Sequence, residues 1–278
     1  MIAGRYEVLE RLGAGGTATV CLARELTGGE EVAIKVLHHM LSEDELPAER
    51  FRREARRAKR LRHPNIVRTF DHGACDGTHF ITMEHLPGRS LKSLIASGPA
   101  PRPGDAVEII LQVLEATGFI HQHGIIHRDL SSRNVIADPH GRVKVMDFGI
   151  SCTRATSVTP AGSLIGTIEY IAPERLKGES ASEASDLYSI GVMLYELLTG
   201  LLPFDGELVS TVALKHLREC PEPLSRLNAA VSPRLDAIVM RALEKAPEDR
   251  FPSAAAFAAA LRREAAAPAR ASKLAAAA

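Results

Sequence analysis

The chain has 278 residues and carries 34 Lys+Arg against 34 Asp+Glu, so its formal charge at neutral pH is zero. That balance argues against a general nucleic-acid-binding protein, which would show a basic excess. A 45% hydrophobic fraction with 24% charged residues is ordinary for a soluble globular chain, although Trp is absent and 15 of the last 25 residues are Ala.

In chain order, the stretch from Tyr6 to Leu12 alternates loosely and predicts a strand, closed by Gly13, Ala14, Gly15 and Gly16. Thr19 to Ala23 predicts a second strand, Thr27 to Glu30 a hairpin turn, and Val32 to Leu37 a third strand. A helix is expected from Pro47 to Leu61, with Pro47 in its first turn and Phe51, Ala55, Ala58 and Leu61 on one face. Eight basic residues lie between Arg50 and Arg62 against one acid, Glu54; acids upstream at 43–45 and 49 offset them, and the run reads as a solvated helix face.

After His79 to Glu84 the texture turns helical. Helices are expected over 105–123, with Val107, Ile110, Leu111 and Leu114 in a stripe, and over 186–198, which is apolar on nearly every side and therefore buried in a lobe. Further amphipathic helices are expected over 235–243 and 254–263. A small strand-rich lobe thus precedes a larger helical one, without internal repeats, and the low-complexity end from Pro268 is expected to fray. The four cysteines are scattered and form no C-x-x-C pair, which favours free thiols in a reducing cytosol. The N-terminus lacks a signal peptide's apolar core, and the apolar run 189–204, interrupted by Glu196 and Pro203, is too short to cross a bilayer.

Five motifs follow one another. Leu12, Gly13, Ala14, Gly15, Gly16, Thr17, Ala18, Thr19 and Val20 form a glycine loop that leads into a strand, whereas a dinucleotide fingerprint leads into a helix. Lys35 sits among apolar strand neighbours, where an unpaired ammonium is costly, and Glu54 is the expected partner. Then come His127-Arg128-Asp129-Leu130-Ser131-Ser132-Arg133-Asn134, Asp147-Phe148-Gly149, and Gly166-Thr167-Ile168-Glu169-Tyr170-Ile171-Ala172-Pro173-Glu174. Each is weak alone; the ordered set is not a chance event.

On these motifs the chain resembles the protein kinase family from about Tyr6 to Leu261, and within it the eukaryotic-like Ser/Thr kinases of bacteria. The resemblance implies an α+β, bilobal protein-kinase-like fold. Its N-lobe would be a small antiparallel sheet with one main helix, and its C-lobe larger and mainly helical. The kinase domain would span 6–262, with the N-lobe at about 6–83, a hinge at 84–88 and the C-lobe at 89–262. Residues 263–278 would be an alanine-rich tail or linker, or an artificial ending.

The implied activity is that of a non-specific serine/threonine protein kinase, which moves the γ-phosphate of ATP to Ser/Thr hydroxyls of proteins. Residues 12–20 would cover the phosphates, and Lys35, held by Glu54, would contact them. Ala33 and Ile136 would sandwich the adenine, Met83 would be the gatekeeper, and Glu84 to Leu86 would offer backbone groups. Asp129 would orient the substrate hydroxyl and take its proton. Asn134 and Asp147 would hold Mg²⁺, or Mn²⁺ in its place. Glu174 and Arg250 would form a buried brace.

Two departures stand out. Ala18 replaces the third glycine of the loop. Ser131 stands where Ser/Thr kinases usually carry a Lys that neutralises the transferring phosphate; Arg133 resembles the tyrosine-kinase arrangement and is expected to compensate, while Thr167 points to the Ser/Thr class. The alternative is a catalytically weak pseudokinase or scaffold. Hydroxyls between Asp147 and Glu174 suggest autophosphorylation, first at Thr159 and then at Ser163, in a homodimer that acts in trans. The partners implied are protein substrates, with no nucleic acid. The location implied is cytoplasmic, as such or as the cytosolic part of a longer membrane-anchored kinase. His127 is expected in the core, and His121 and His123 at the surface.

Overall fold

The computed structural model of the chain describes residues 1–42, 45–147 and 168–266, with the side chains of residues 45–47, 50 and 54 outside that description. β1 (Tyr6–Ala14), β2 (Ala18–Glu25) and β3 (Glu31–Leu37) form an antiparallel meander. A short α1 (His39–Ser42) and α2 (Glu45–Ala58) follow, then β4 (Thr69–Cys75) and β5 (Thr78–Glu84). The sheet order is β1-β2-β3-β5-β4, which puts β3 in the middle. Its side chains alternate between two small cores. Val32 and Ile34 meet Tyr6, Ala23 and Phe80 on one face, and Ala33 and Leu37 meet Phe51 and Ala55 of α2, with Ile81 and Met83, on the other.

The larger lobe begins with β6 (Arg89–Ser90) and α3 (Leu91–Ser97), whose N-cap Ser90 accepts from the Ser93 amide. α4 (Pro103–Gln122) follows, opening on Pro, whose fixed φ suits a first helical turn. β7 (Val135–Ala137) and β8 (Val143–Val145) pair with β6 in a three-stranded sheet. The remaining helices are α5 (Pro173–Leu176), α6 (Glu183–Thr199), α7 (Val209–Arg218), α8 (Leu224–Leu227), α9 (Pro233–Ala242) and α10 (Ala254–Ala265). α6 opens on a capping box between Ser182 and Ser185 and stops at Gly200, whose φ of 76° suits glycine. It is buried along most of its length, as a helix apolar on nearly every side requires. α4 and α9 both pack on it, and Gly191 lets α9 approach so closely that a Cβ there would lie 2.8 Å from that of Ala242.

The linker after α2 ties the lobes together. Leu61 and Ile66 join the large-lobe core; Asn65 donates to Val143 O (2.9 Å) and Gln112 Oε1 (3.0 Å) and accepts from the Val145 amide. The expected helix over 47–61 is therefore cut short at Ala58, because Leu61 is needed in another core. Cys21, Cys75 and Cys220 are free thiols. No helix among the described residues is long and apolar enough to cross a membrane.

Candidate active site

Three elements converge where the lobes meet. The first is the β1–β2 hairpin. Gly13 pairs with Val20 and Ala14 with Thr19, and the Gly15 amide donates to Ala18 O at 2.9 Å. Leu12 to Gly16 are exposed, Thr17 is half-buried and holds the His38 amide (2.9 Å), and a Cβ at Gly13 would meet nothing within 4 Å. Ala18, in place of a third glycine, is buried opposite Leu37 of β3. Val20, Ala33, Met83, Leu86 and Met146 share one apolar cluster under this hairpin, with Ala33 paired to Met83. Ile136 is half-buried on β7, between its partners Ser90 and Lys144. The Glu84 carboxylate is clasped by Lys144 Nζ at 2.7 Å to each oxygen, which ties the end of β5 to the large lobe.

The second is Lys35 on β3. Its ammonium is buried and donates to Asp147 Oδ1 at 2.6 Å. Asp147 follows β8 with φ 62°, a left-handed conformation rarely adopted outside glycine and of the kind that collects at functional sites. The partner found for Lys35 is thus Asp147; the Glu54 side chain expected to hold it lies outside the described residues, although its backbone lies in α2 between the buried Phe51 and Ala55.

The third is the loop between α4 and β7. Asn134 Nδ2 donates to Asp129 O (2.8 Å) and Asp129 Oδ2 (3.0 Å), fixing the carboxylate and leaving Asn134 Oδ1 without a hydrogen bond from any described residue. His127 is fully buried, with Nε2 on Met146 O (3.1 Å) and Nδ1 facing the Asp129 amide (3.4 Å). Asp186, in the first turn of α6, accepts the amides of His127 (2.8 Å) and Arg128 (2.9 Å) and pairs with His121 Nε2 (2.8 Å). It steadies Arg128 in a strained left-handed conformation, φ 73°. Sequence reasoning missed Asp186. The available signal was an acid in the first turn of an otherwise buried helix, since a buried carboxylate demands donors. His121 is also a correction: expected at the surface, it is buried, because it is one of those donors.

Ser131 and Ser132 are fully buried. Ser132 Oγ meets Tyr170 Oη at 2.7 Å; that hydroxyl also donates to Glu196 Oε2, and Lys92 Nζ donates to Glu196 Oε1 at 2.6 Å. Burial and then the Glu196 charge push the Tyr170 hydroxyl far above its usual pKa, so it stays a donor. Ser131 Oγ is buried with no partner among the described residues. The Arg133 side chain pairs with Glu169, its Nη2 reaching Oε1 at 3.5 Å. Thr167, Thr159 and Ser163 lie outside the described residues. Below the site, Glu174 and Arg250 form a buried two-pronged pair (2.9 and 2.8 Å). Burial pushes the Glu174 carboxyl up, but the hydrogen bonds from Arg250 and Ser185 and the Arg250 charge outweigh it, and the net shift is downward.

A glycine hairpin, a buried strand lysine on a carboxylate, and an Asp–Asn loop braced from below are together one recognisable arrangement. The protein kinase domain model matches residues 6–261. The chain belongs to the protein kinase family. It is 43% identical over 261 residues to the serine/threonine-protein kinase PknB of Mycolicibacterium smegmatis, across 91% of this chain and 42% of that protein. It is 39% identical to PrkC of Bacillus subtilis (91% and 39%) and 42% identical to pkn3 of Myxococcus xanthus (92% and 49%). The chain spans only two fifths to half of these relatives' length. The PknI kinase domain of Mycobacterium tuberculosis superposes with a TM-score of 0.75 at 29% identity, over 95% of this chain and 97% of that one. Rad53 1–466 in complex with AMP-PNP gives 0.77 at 28% identity, over 91% and 64%. The kinase fold expected from the motifs is the fold found, and the relatives place the chain in the bacterial eukaryotic-like branch.

Proposed function

We propose that this chain is an ATP-dependent serine/threonine protein kinase, its catalytic domain running over 6–262 with a hinge at 84–88. The observation that carries the reading is the convergence of the Lys35–Asp147 pair at 2.6 Å with the Asn134–Asp129 pair at 3.0 Å. A cation for phosphates, two hard oxygen donors and a base are what phosphoryl transfer needs, since it rests on positioning and charge stabilisation.

In this reading residues 12–20 cover the triphosphate, where the open space at Gly13 admits close backbone approach. Val20, Ala33, Met83, Leu86 and Ile136 enclose the adenine, and the backbone of 84–86 meets its edge. Lys35 contacts the phosphates, with Glu54 as its support. The donors fit a hard cation: Asn134 Oδ1 takes no hydrogen bond from a described residue and Asp147 supplies a carboxylate. Mg²⁺, or Mn²⁺, bound there would neutralise charge on the phosphate oxygens. Asp129, held by Asn134, orients the substrate hydroxyl and receives its proton. Arg133 supplies positive charge in place of the Lys that Ser131 displaces, and Thr167 supports the Ser/Thr class. The naming of the relatives as serine/threonine kinases supports catalysis over a scaffold role.

Protein substrates, cytosolic location and autophosphorylation in trans at Thr159 and Ser163 complete the proposal. Incubation with labelled ATP and Mg²⁺ followed by phosphoamino-acid analysis tests it: phosphoserine and phosphothreonine are expected, and phosphotyrosine alone, or no label, contradicts it.

A further inference from the structure

The groups around Asp129 differ in which of their charges remain free, and this bears on the substrate. Glu196 is almost fully buried, and both carboxylate oxygens are engaged, one by Lys92 at 2.6 Å and the other by the Tyr170 hydroxyl. The network closes on itself: Tyr170 also bonds Ser132 Oγ, and the Lys92 amide donates to Ser132 O at 2.9 Å. A buried carboxylate so paired is neutral towards its surroundings and cannot recruit a cation from a substrate. Glu169 is the acid beside Arg133; its Oε1 makes the long 3.5 Å contact, and its Oε2 is buried with no hydrogen-bond partner among the described residues.

The cations point the other way. The Arg133 side chain is 51% exposed, on the same loop as Asp129 and one residue before Asn134. Arg89 is exposed and donates to Ser93 O and Oγ, with no acid partner among the described residues. The β6–β7 ladder, with Arg89 opposite Ala137 and Ser90 opposite Ile136, holds it beside the strand that continues from the Asp129 loop. Among the described residues, Glu196 is therefore sunk and paired, Glu169 is 27% exposed and meets Arg133 only at 3.5 Å, and the guanidinium groups of Arg133 and Arg89 stand largely in water.

Resting on the kinase reading above, we infer that this site selects acidic substrates, with carboxylate side chains within a few residues of the acceptor hydroxyl. Arg133 and Arg89 are the specificity-determining residues, and Lys92 is a positioning residue that acts by silencing Glu196. Guanidinium groups suit this role because they take carboxylates in a two-pronged fork.

The test compares two synthetic peptides with the same central Thr, one flanked on both sides by Glu and the other by Lys. A preference in kcat/KM for the Glu peptide on the order of tenfold is expected at low salt, shrinking at about 0.5 M NaCl as screening shortens the reach of the charges. The ratio within each variant should fall severalfold in Arg89→Ala and in Arg133→Gln. Lys92→Met should raise the rate on the Lys peptide by exposing an unneutralised Glu196; the exposed Arg89→Ala keeps the test valid if that variant misfolds. Equal rates, or a preference for the Lys peptide, overturn this inference and leave the kinase reading intact. No transfer to either peptide, with no labelling of the chain itself, overturns both.

Discussion

Lys35 and Asp129 illustrate what single residues reveal in a sequence. Lys35 is legible because an ammonium inside Val-Ala-Ile-Lys-Val needs a partner; which partner it takes is not, since Asp147 lies 112 positions away and is brought to it by folding. The same holds for Asp186, which no motif marks, and for His121, expected at the surface, because their bonds span 58 to 65 positions. Tyr188, where many kinases have Trp, is another case: its hydroxyl meets His216 Nδ1 at 2.8 Å, a contact no local pattern announces. His216 is fully buried, against the edge of Phe204. Burial, with a smaller push from the Lys245 charge, takes its pKa from 6.5 down to about 3. An unfolded chain would bind a proton there below pH 6.5 while the folded one stays neutral. Stability is thus lost as pH falls from about 6.5 towards about 3, at up to ~1.4 kcal/mol per pH unit for this group. Urea melts at pH 7 and pH 5 should show this loss in the wild type and a shallower one in His216→Gln. An unchanged pH dependence in the variant would contradict the assignment.

The long periodic elements were readable: α4, α6, α9 and α10 appear within three residues of their expected ends, because each buries a stripe or a whole surface. β4, with the sequence Thr-Phe-Asp-His-Gly-Ala-Cys, was not, since it lacks clean alternation and is held in place by its partner β5. The same applies to β6, β7 and β8, whose two or three residues carry no period at all. How elements are joined is a separate matter. The helix α5, only four residues long, is anchored through Glu174 to Arg250 beyond α9, and Arg250 also donates to the carbonyls of Ala184, Glu244 and Lys245. Removing the guanidinium leaves a buried carboxylate and bare carbonyls, so Arg250→Ala should cost ~3–5 kcal/mol in urea denaturation. A loss within experimental error would show the brace to be dispensable. Because Glu174 titrates below its ordinary value of 4.5 in the folded chain, the pair's contribution is present above that pH and is lost in acid as pH falls through the lowered value.

At the scale of the molecule, the two lobes have separate cores, joined by Leu61 and Ile66 of the linker, by Met146 in the small-lobe cluster, and by polar ties: Lys35 to Asp147, Lys144 to Glu84, and Asn65 to the β8 strand. A nucleotide bound between them would add contacts to both sides at once. At about a hundredfold excess over its dissociation constant, ATP with Mg²⁺ should stabilise the fold by ~2.7 kcal/mol. A rise of several degrees in melting temperature should follow, and Asp147→Asn should abolish most of it; the same shift in that variant would remove Asp147 from the metal site.

The most direct test of the account is the rate of phosphate transfer from ATP to a Thr peptide by Asp129→Asn, with its ATP-induced melting shift as proof of a folded, nucleotide-binding protein. Loss of the base predicts a fall on the order of 10²-fold or more with the shift retained. A variant that transfers phosphate at the wild-type rate would contradict the assignment of Asp129 and the mechanism built on it.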